Sequence, residues 1–173
     1  SATTSKKIPF SVVSVGKQAI FQNASTNLME SIAKIGGVST LATGPAISKP
    51  VIRGLGYNRV LTINDGVRQE GQQWGDEHGI EIDEASVSKV ELLKGSGSVQ
   101  YGSDALTGVV NFFTLQPEFM AQKTFGGQLS ARVATQGMEL SEQLKMTYSS
   151  ANTGIVFVGA NKQFGDMVRG GGL

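Results

Sequence analysis

Residues 70–83, EGQQWGDEHGIEID, bring the chain's single tryptophan, Trp74, and its single histidine, His78, together with Asp76, Glu77, Glu81 and Asp83. Carboxylate oxygens and an imidazole nitrogen suit a transition metal or the metal of a bound chelate. The indole ring offers a flat face on which a porphyrin or an aromatic chelator can stack. The same composition also fits a solvated loop whose charges stay in water and whose indole packs on the body of the fold. A metal-dependent enzyme is the weakest reading. It needs more than one histidine, and the chain has no cysteine to supply a thiolate.

Two further stretches hold reactive types. IRGLGYNRVLTINDGVRQEG, residues 52–71, spaces Arg53, Arg59 and Arg68 among glycines. Its Gly-x-Gly lacks a third glycine and precedes a strand, so a phosphate cradle is not built there. YGSDA, residues 101–105, pairs Ser103 with Asp104. A triad would need a histidine, and the single one, His78, is isolated in its own loop. Asp104 fits a turn-bridging role. Catalysis is therefore not expected.

The elements that would position these residues are short. IPFSVVSV, residues 8–15, reads as a strand, and NLMESIAKI, residues 27–35, as a helix with Leu28, Ile32 and Ile35 at helical spacing. Asn27 and Glu30 fit a capping box, and Gly36-Gly37 a stop. Residues 38–49 read as a strand leaving into a loop, and 50–53 and 59–64 as strands. Asp65-Gly66 is a tight-turn signal before VRQEG. Residues 71–84 read as an exposed loop and 83–88 as one helical turn. KVELL, residues 89–93, and VVNFFTL, residues 109–115, read as strands, the second buried.

Composition supports this picture of strands and turns. Glycine is abundant at 23 of 173 residues, and hydrophobic content is 39%. Net charge is +1, so no global field argues for nucleic acid, and no nucleic-acid partner is expected. No apolar run is long enough for a transmembrane helix. No signal peptide is visible. The start, SATTSKK, fits a mature or a trimmed terminus, and the end, MVRGGGL, is expected to continue or to have been cut.

After Pro117 the texture changes. GGQLSARVATQ, SEQLKMTYSSA and GIVFVGANKQF alternate over about ten residues each, separated by GMEL and NTG. Leu129, Ala131 and Val133 share one face against Ser130, Arg132 and Ala134. Leu144, Met146 and Tyr148 share one against Gln143, Lys145 and Thr147. Membrane barrel strands have this pattern, and so does a soluble meander; alternation alone does not separate them.

The order of motifs carries more. Ile52-Arg53-Gly54, Asp65-Gly66, Val90-Glu91-Leu92, Leu93-Lys94-Gly95, Tyr101-Gly102 and Gly108-Val109-Val110-Asn111 follow one another across roughly residues 8–115. Each is weak alone. In this order they resemble the plug domain of TonB-dependent outer-membrane transporters. Lys94 stands where that family usually has arginine, a point charge where a fork would be. Gly36-Gly37 replaces Pro-Gly, and GSGSV replaces the more usual Gly-Pro-Ala-Ser.

The resemblance implies an α+β plug domain over residues 1–120, a small mixed sheet with short helices. Residues 121–173 would be the first antiparallel strands of a transmembrane β-barrel of about 22 strands. Three strands cannot close a barrel, so the rest of the barrel is expected elsewhere in a longer chain. The implied function is active transport across the cell outer membrane of a Gram-negative bacterium. The plug lies in the barrel lumen and gates it, and the chain is not an enzyme. Implied partners are the TonB energy-coupling protein, outer-membrane lipid and an extracellular metal chelate, haem or vitamin, with iron siderophore, haem or another metal complex favoured. No cofactor is implied.

On that reading Trp74, Asp76, Glu77, His78 and Glu81 face the solute, with His78 the one candidate metal ligand. Arg53, Glu91 and Lys94 hold the plug to the barrel wall, because a polar lumen makes charged hydrogen bonds the natural adhesive. The alternatives are that these are ordinary surface charges, or that Arg53 pairs with Glu91 inside the plug. A plug-like binding or signalling module without transport is the other functional reading.

Overall fold

The computed structural model of the chain describes residues 3–4, 11–22, 28–34, 37–43, 47–70, 79–80, 82–95, 101–102, 105–134 and 139–165. The chain divides into two compact units, residues 1–114 and 115–173.

The first unit is built on a mixed sheet. Its strands are β1 (Thr3–Thr4), β2 (Ser11–Gly16), β5 (Val60–Asn64), β6 (Val67–Gln69), β7 (Val87–Lys94) and β8 (Gly108–Thr114). They lie in the order β1-β2-β7-β8-β5-β6. All neighbours are antiparallel except β5 and β8, which run parallel. Helices α1 (Lys17–Gln22) and α2 (Leu28–Ala33) follow β2, and strands β3 (Ser39–Ala42) and β4 (Ser48–Val51) make a separate hairpin.

The alternation of β7 and β8 divides the core between the two faces of the sheet. On one face Val90, Leu92, Val110 and Phe112 pack with Ile20, Leu28, Met29 and Ile32 of the helices. On the other, Leu93 and Val109 join Leu61, Ile63 and Ala105 in a smaller cluster. β8 is therefore apolar on both faces and reads as a nearly continuous hydrophobic run, whereas β7 also carries Ser88, Lys89, Glu91 and Lys94. That is why VVNFFTL is legible as a buried strand.

A tight turn and a close approach of three segments shape the unit. Asp65 and Gly66, both at positive φ (46° and 83°), join β5 to β6. Asp65 also reaches across the sheet: its Oδ1 accepts from the Thr114 amide at 2.9 Å, and its own amide donates to the Phe112 carbonyl at 2.9 Å. The turn aspartate thus ties down the end of β8. At the opposite end of β8, a β-carbon on Gly108 would lie 2.7 Å from both Ile52 Cδ1 and the Leu93 carbonyl oxygen. Only glycine lets the three segments close there.

Several boundaries differ from the sequence expectation. The strand expected at 50–53 ends at Val51, because Arg53 enters a turn. Pro50 sits inside β4, opposite Thr40. The helix of residues 27–35 is seen over Leu28–Ala33; Asn27, Ile35 and Gly36 lie outside the described residues. Helix α1 went unforeseen, since Lys17–Gln22 is too short to show a period.

In the second unit β9 (Thr124–Ala134), β10 (Glu139–Ser149) and β11 (Gly154–Phe164) form an antiparallel sheet of three 11-residue strands. Glu139 and Leu140, expected in a turn, open β10, opposite Ala134 and Val133. Ser150–Thr153 turns β10 into β11: the Ser150 amide donates to the Thr153 carbonyl at 2.7 Å, and the Thr153 amide donates to Ser150 Oγ at 3.0 Å.

The register puts Phe125, Tyr148 and Ile155 in one row, followed by Gly127, Met146 and Phe157, then Leu129, Leu144 and Gly159. These nine residues occupy one face. Gln128, Lys145, Ser130, Gln143, Arg132 and Ser141 occupy the other, with Val156 and Val158 of β11, and there Arg132 Nη2 meets Glu139 Oε1 at 2.8 Å. The more exposed face is thus the more apolar one.

Candidate functional site

Of the residues singled out by sequence, Arg53 and Lys94 come together. Arg53-Gly54 forms a two-residue turn with φ of 54° and 80°. Ile52 and Leu55 exchange both backbone hydrogen bonds across it, at 2.9 and 3.1 Å. Positive φ at both central residues is the type I′ arrangement, which favours Asn, Asp or Gly. An arginine there carries backbone strain of about 1–2 kcal/mol. The turn points the guanidinium toward the end of β7, where Nη2 lies 3.7 Å from the place a β-carbon on Gly95 would occupy.

Lys94 is the last residue of β7, on the face shared with Val90 and Leu92. Its ammonium lies over Gly37, in the segment that follows α2, and a β-carbon on Gly37 would collide with it. Gly37 has φ of 82°, a backbone conformation that favours glycine. Burial pulls the Lys94 pKa below the ordinary lysine value, and the Arg53 guanidinium beside it lowers it further. Two cations thus share one corner of the unit. Among the described residues, no carboxylate forms an ion pair with Arg53.

Glu91 is placed apart from them. Three residues before Lys94 on a regular strand, it projects from the opposite face, with Leu93. It pairs with Lys89 at 2.8 Å, and the Lys89 ammonium also sits 4.2 Å from the centre of the Phe113 ring. The internal Arg53–Glu91 pair is therefore not formed: alternation along β7 turns the carboxylate away from the turn that carries Arg53.

Trp74, Asp76, Glu77, His78 and Glu81 lie outside the described residues, as do Ser103 and Asp104. Of the acidic loop, Asp83 is described, and its carboxylate is engaged locally. It accepts from the Ala85 amide at 2.7 Å and caps the short 3-10 turn Glu84–Ser86. That turn meets the expectation of one helical turn within 83–88. Sequence reasoning missed the strain at Arg53; the Arg-Gly pair between two apolar β-bridge residues was its only signal.

Comparison with known proteins agrees with this architecture. The hemin receptor of Yersinia enterocolitica is 31% identical over 113 residues, 65% of this chain and 16% of that protein. The vitamin B12 transporter BtuB of Vibrio vulnificus is 31% identical over 106 residues, 60% of this chain and 17% of that protein. The chain thus spans about one sixth of the length of these curated relatives. Among solved structures, the Serratia marcescens hemophore receptor HasR superimposes with a TM-score of 0.76 at 23% identity, over 92% of this chain and 25% of that one. The copper transporter OprC gives 0.74 at 17% identity, over 95% and 25%. Identities this low establish the fold alone. The family model of the TonB-dependent receptor plug domain matches residues 4–109, so the chain belongs to this family of receptors, which are not enzymes.

Proposed function

We propose that the chain supplies the gate and the first wall strands of an outer-membrane receptor that imports a scarce solute with energy from a TonB-type partner. One observation carries this: a plug-family sheet is followed directly by three 11-residue strands whose apolar face is the exposed one. A soluble sheet would turn that face inward, and membrane barrel strands turn it outward. On this reading residues 1–120 are the plug, held within the lumen, and residues 121–173 belong to the barrel.

Arg53 and Lys94 are the gate's anchoring cations toward the barrel wall, and Glu91 serves a separate contact from the other face of the sheet. The strained Arg53 turn and the unfavourable closeness of two cations support the anchoring role. Carboxylates facing that corner would relieve the repulsion, and charged hydrogen bonds exchange with water at modest cost. Trp74, Asp76, Glu77, His78 and Glu81 contact the solute, a metal chelate or haem. Curated relatives named for hemin and vitamin B12 support a large, scarce ligand.

The test is uptake by cells that carry the full polypeptide, offered haem, a ferric siderophore or cobalamin, with and without the energy-coupling protein. Uptake of one ligand that requires the coupling protein, and that falls in the Trp74→Ala, Asp76→Ala and His78→Ala variants at equal receptor level, supports the reading. Unchanged uptake in all three variants removes the loop from the site. Ligand binding without uptake of any kind favours a plug-like signalling module.

A further inference from the structure

The outward face of β9–β11 is not uniformly apolar. Beyond the Leu129–Leu144–Gly159 row, the next row is Ala131, Glu142 and Asn161, and the one after it Val133, Leu140 and Gln163. Asn161 Nδ2 donates to Glu142 Oε2 at 3.5 Å, so the two polar groups lean on each other across the strands. At the other end, the apolar rows stop at the Ser150–Thr153 turn. There the Met120 amide donates to the Ser150 carbonyl at 3.1 Å, and Phe119 and Met120 are exposed. Phe125 and Tyr148 fill the last row before this turn.

We propose that the Glu142–Asn161 pair marks a boundary of the bilayer. The hydrocarbon covers the sheet from the Ser150 level to the Leu144–Gly159 row, and Glu142, Asn161 and Gln163 face lipid headgroups. This rests on the barrel reading of residues 115–173. Two magnitudes favour it. Glu142 and Ser150 are eight residues apart on β10, about 27 Å along the strand, or about 21 Å along the membrane normal at the usual strand tilt. That is a little under the usual apolar band of about 25 Å, in keeping with the thin bacterial outer membrane. Carrying the band on to Leu140 would lengthen it to about 26 Å, but would put the Glu142 carboxylate in hydrocarbon. The row of Phe125 and Tyr148 then falls where an aromatic girdle belongs.

The segment has no cysteine, so single cysteines placed in it report position cleanly once any elsewhere in the full polypeptide are replaced. In the full polypeptide reconstituted in phospholipid vesicles, nitroxide labels are placed in turn at positions 142, 144, 146 and 161, and at 143 on the other face. Their accessibility to oxygen, which concentrates in hydrocarbon, and to a water-soluble nickel chelate is compared. Labels at 144 and 146 are expected to favour oxygen, with that preference lost at 142 and 161. An oxygen-rich, nickel-poor label at 142 matching that at 146 overturns the boundary. A label at 142 shielded from both reagents overturns it too, in favour of protein cover. Nickel access at 144 and 146 would sink the barrel reading itself.

Discussion

Phe112 in the first unit is 0% exposed and Leu129 in the second is 79% exposed. Both lie on regular strands among apolar neighbours. In the plug unit, β7 and β8 are central and have protein on both sides, so their side chains close two small cores. In the second unit three strands have only one another as neighbours, and their apolar rows are left outside. Burial in a protein core and burial in lipid draw on the same apolar residues. The difference lies in what completes the environment, and in a barrel that is the bilayer.

The largest effect that would sharpen this contrast is in the plug core. Phe112→Ala should lose about 3–5 kcal/mol, read as the shift in urea unfolding of the chain by circular dichroism. Leu129→Ala in the same aqueous assay should change stability by less than about 0.5 kcal/mol. Comparable losses for the two would break the contrast.

Next in size is a charge on the outward rows. Met146→Arg, midway along the proposed apolar band, should cost about 2–4 kcal/mol in refolding of the full polypeptide into vesicles. Thr147→Arg, one step along on the polar face, should cost little. Equal penalties would mean that the two faces do not see lipid and water.

A smaller effect has the opposite sign. Arg53→Gly relieves the left-handed strain and should stabilise the plug unit by about 1 kcal/mol in thermal unfolding. Uptake by the full receptor should fall if the guanidinium is an anchor. Increased stability with undiminished uptake would reduce Arg53 to an ordinary surface charge.

The smallest effect is a pH slope. The folded state holds Lys94 below its ordinary pKa. Between that lowered value and the ordinary lysine value the unfolded chain binds more protons than the folded one, so stability rises with pH across that alkaline window. Lys94→Met should flatten the rise in stability measured across it. A slope unchanged by the substitution would mean that the corner does not disfavour the Lys94 charge.

Much of the fold was legible in the residues. The motif order from Ile52 to Asn111 indicated the plug, and two-residue alternation after residue 123 gave the three strands and their faces. The turn signals at Asp65-Gly66 and Asn152-Thr153-Gly154 were local chemistry and could be read locally. Helix α1 and the split of the plug core between two faces could not, since six residues carry no period and a doubly buried strand shows no alternation.

The candidate site divides along the same line. Residue types and motif positions alone nominated Arg53, Glu91 and Lys94 as one set of charges. Tertiary structure decided that Arg53 and Lys94 crowd one corner while Glu91 turns to Lys89 on the far face. The physical reason is that a strand reverses its side chains at every step, and a turn at positive φ aims a guanidinium where no periodicity in the sequence would place it. Likewise the alternation of β9–β11 was set by the sequence, but only the register between strands brings Glu142 against Asn161 and interrupts the apolar face there.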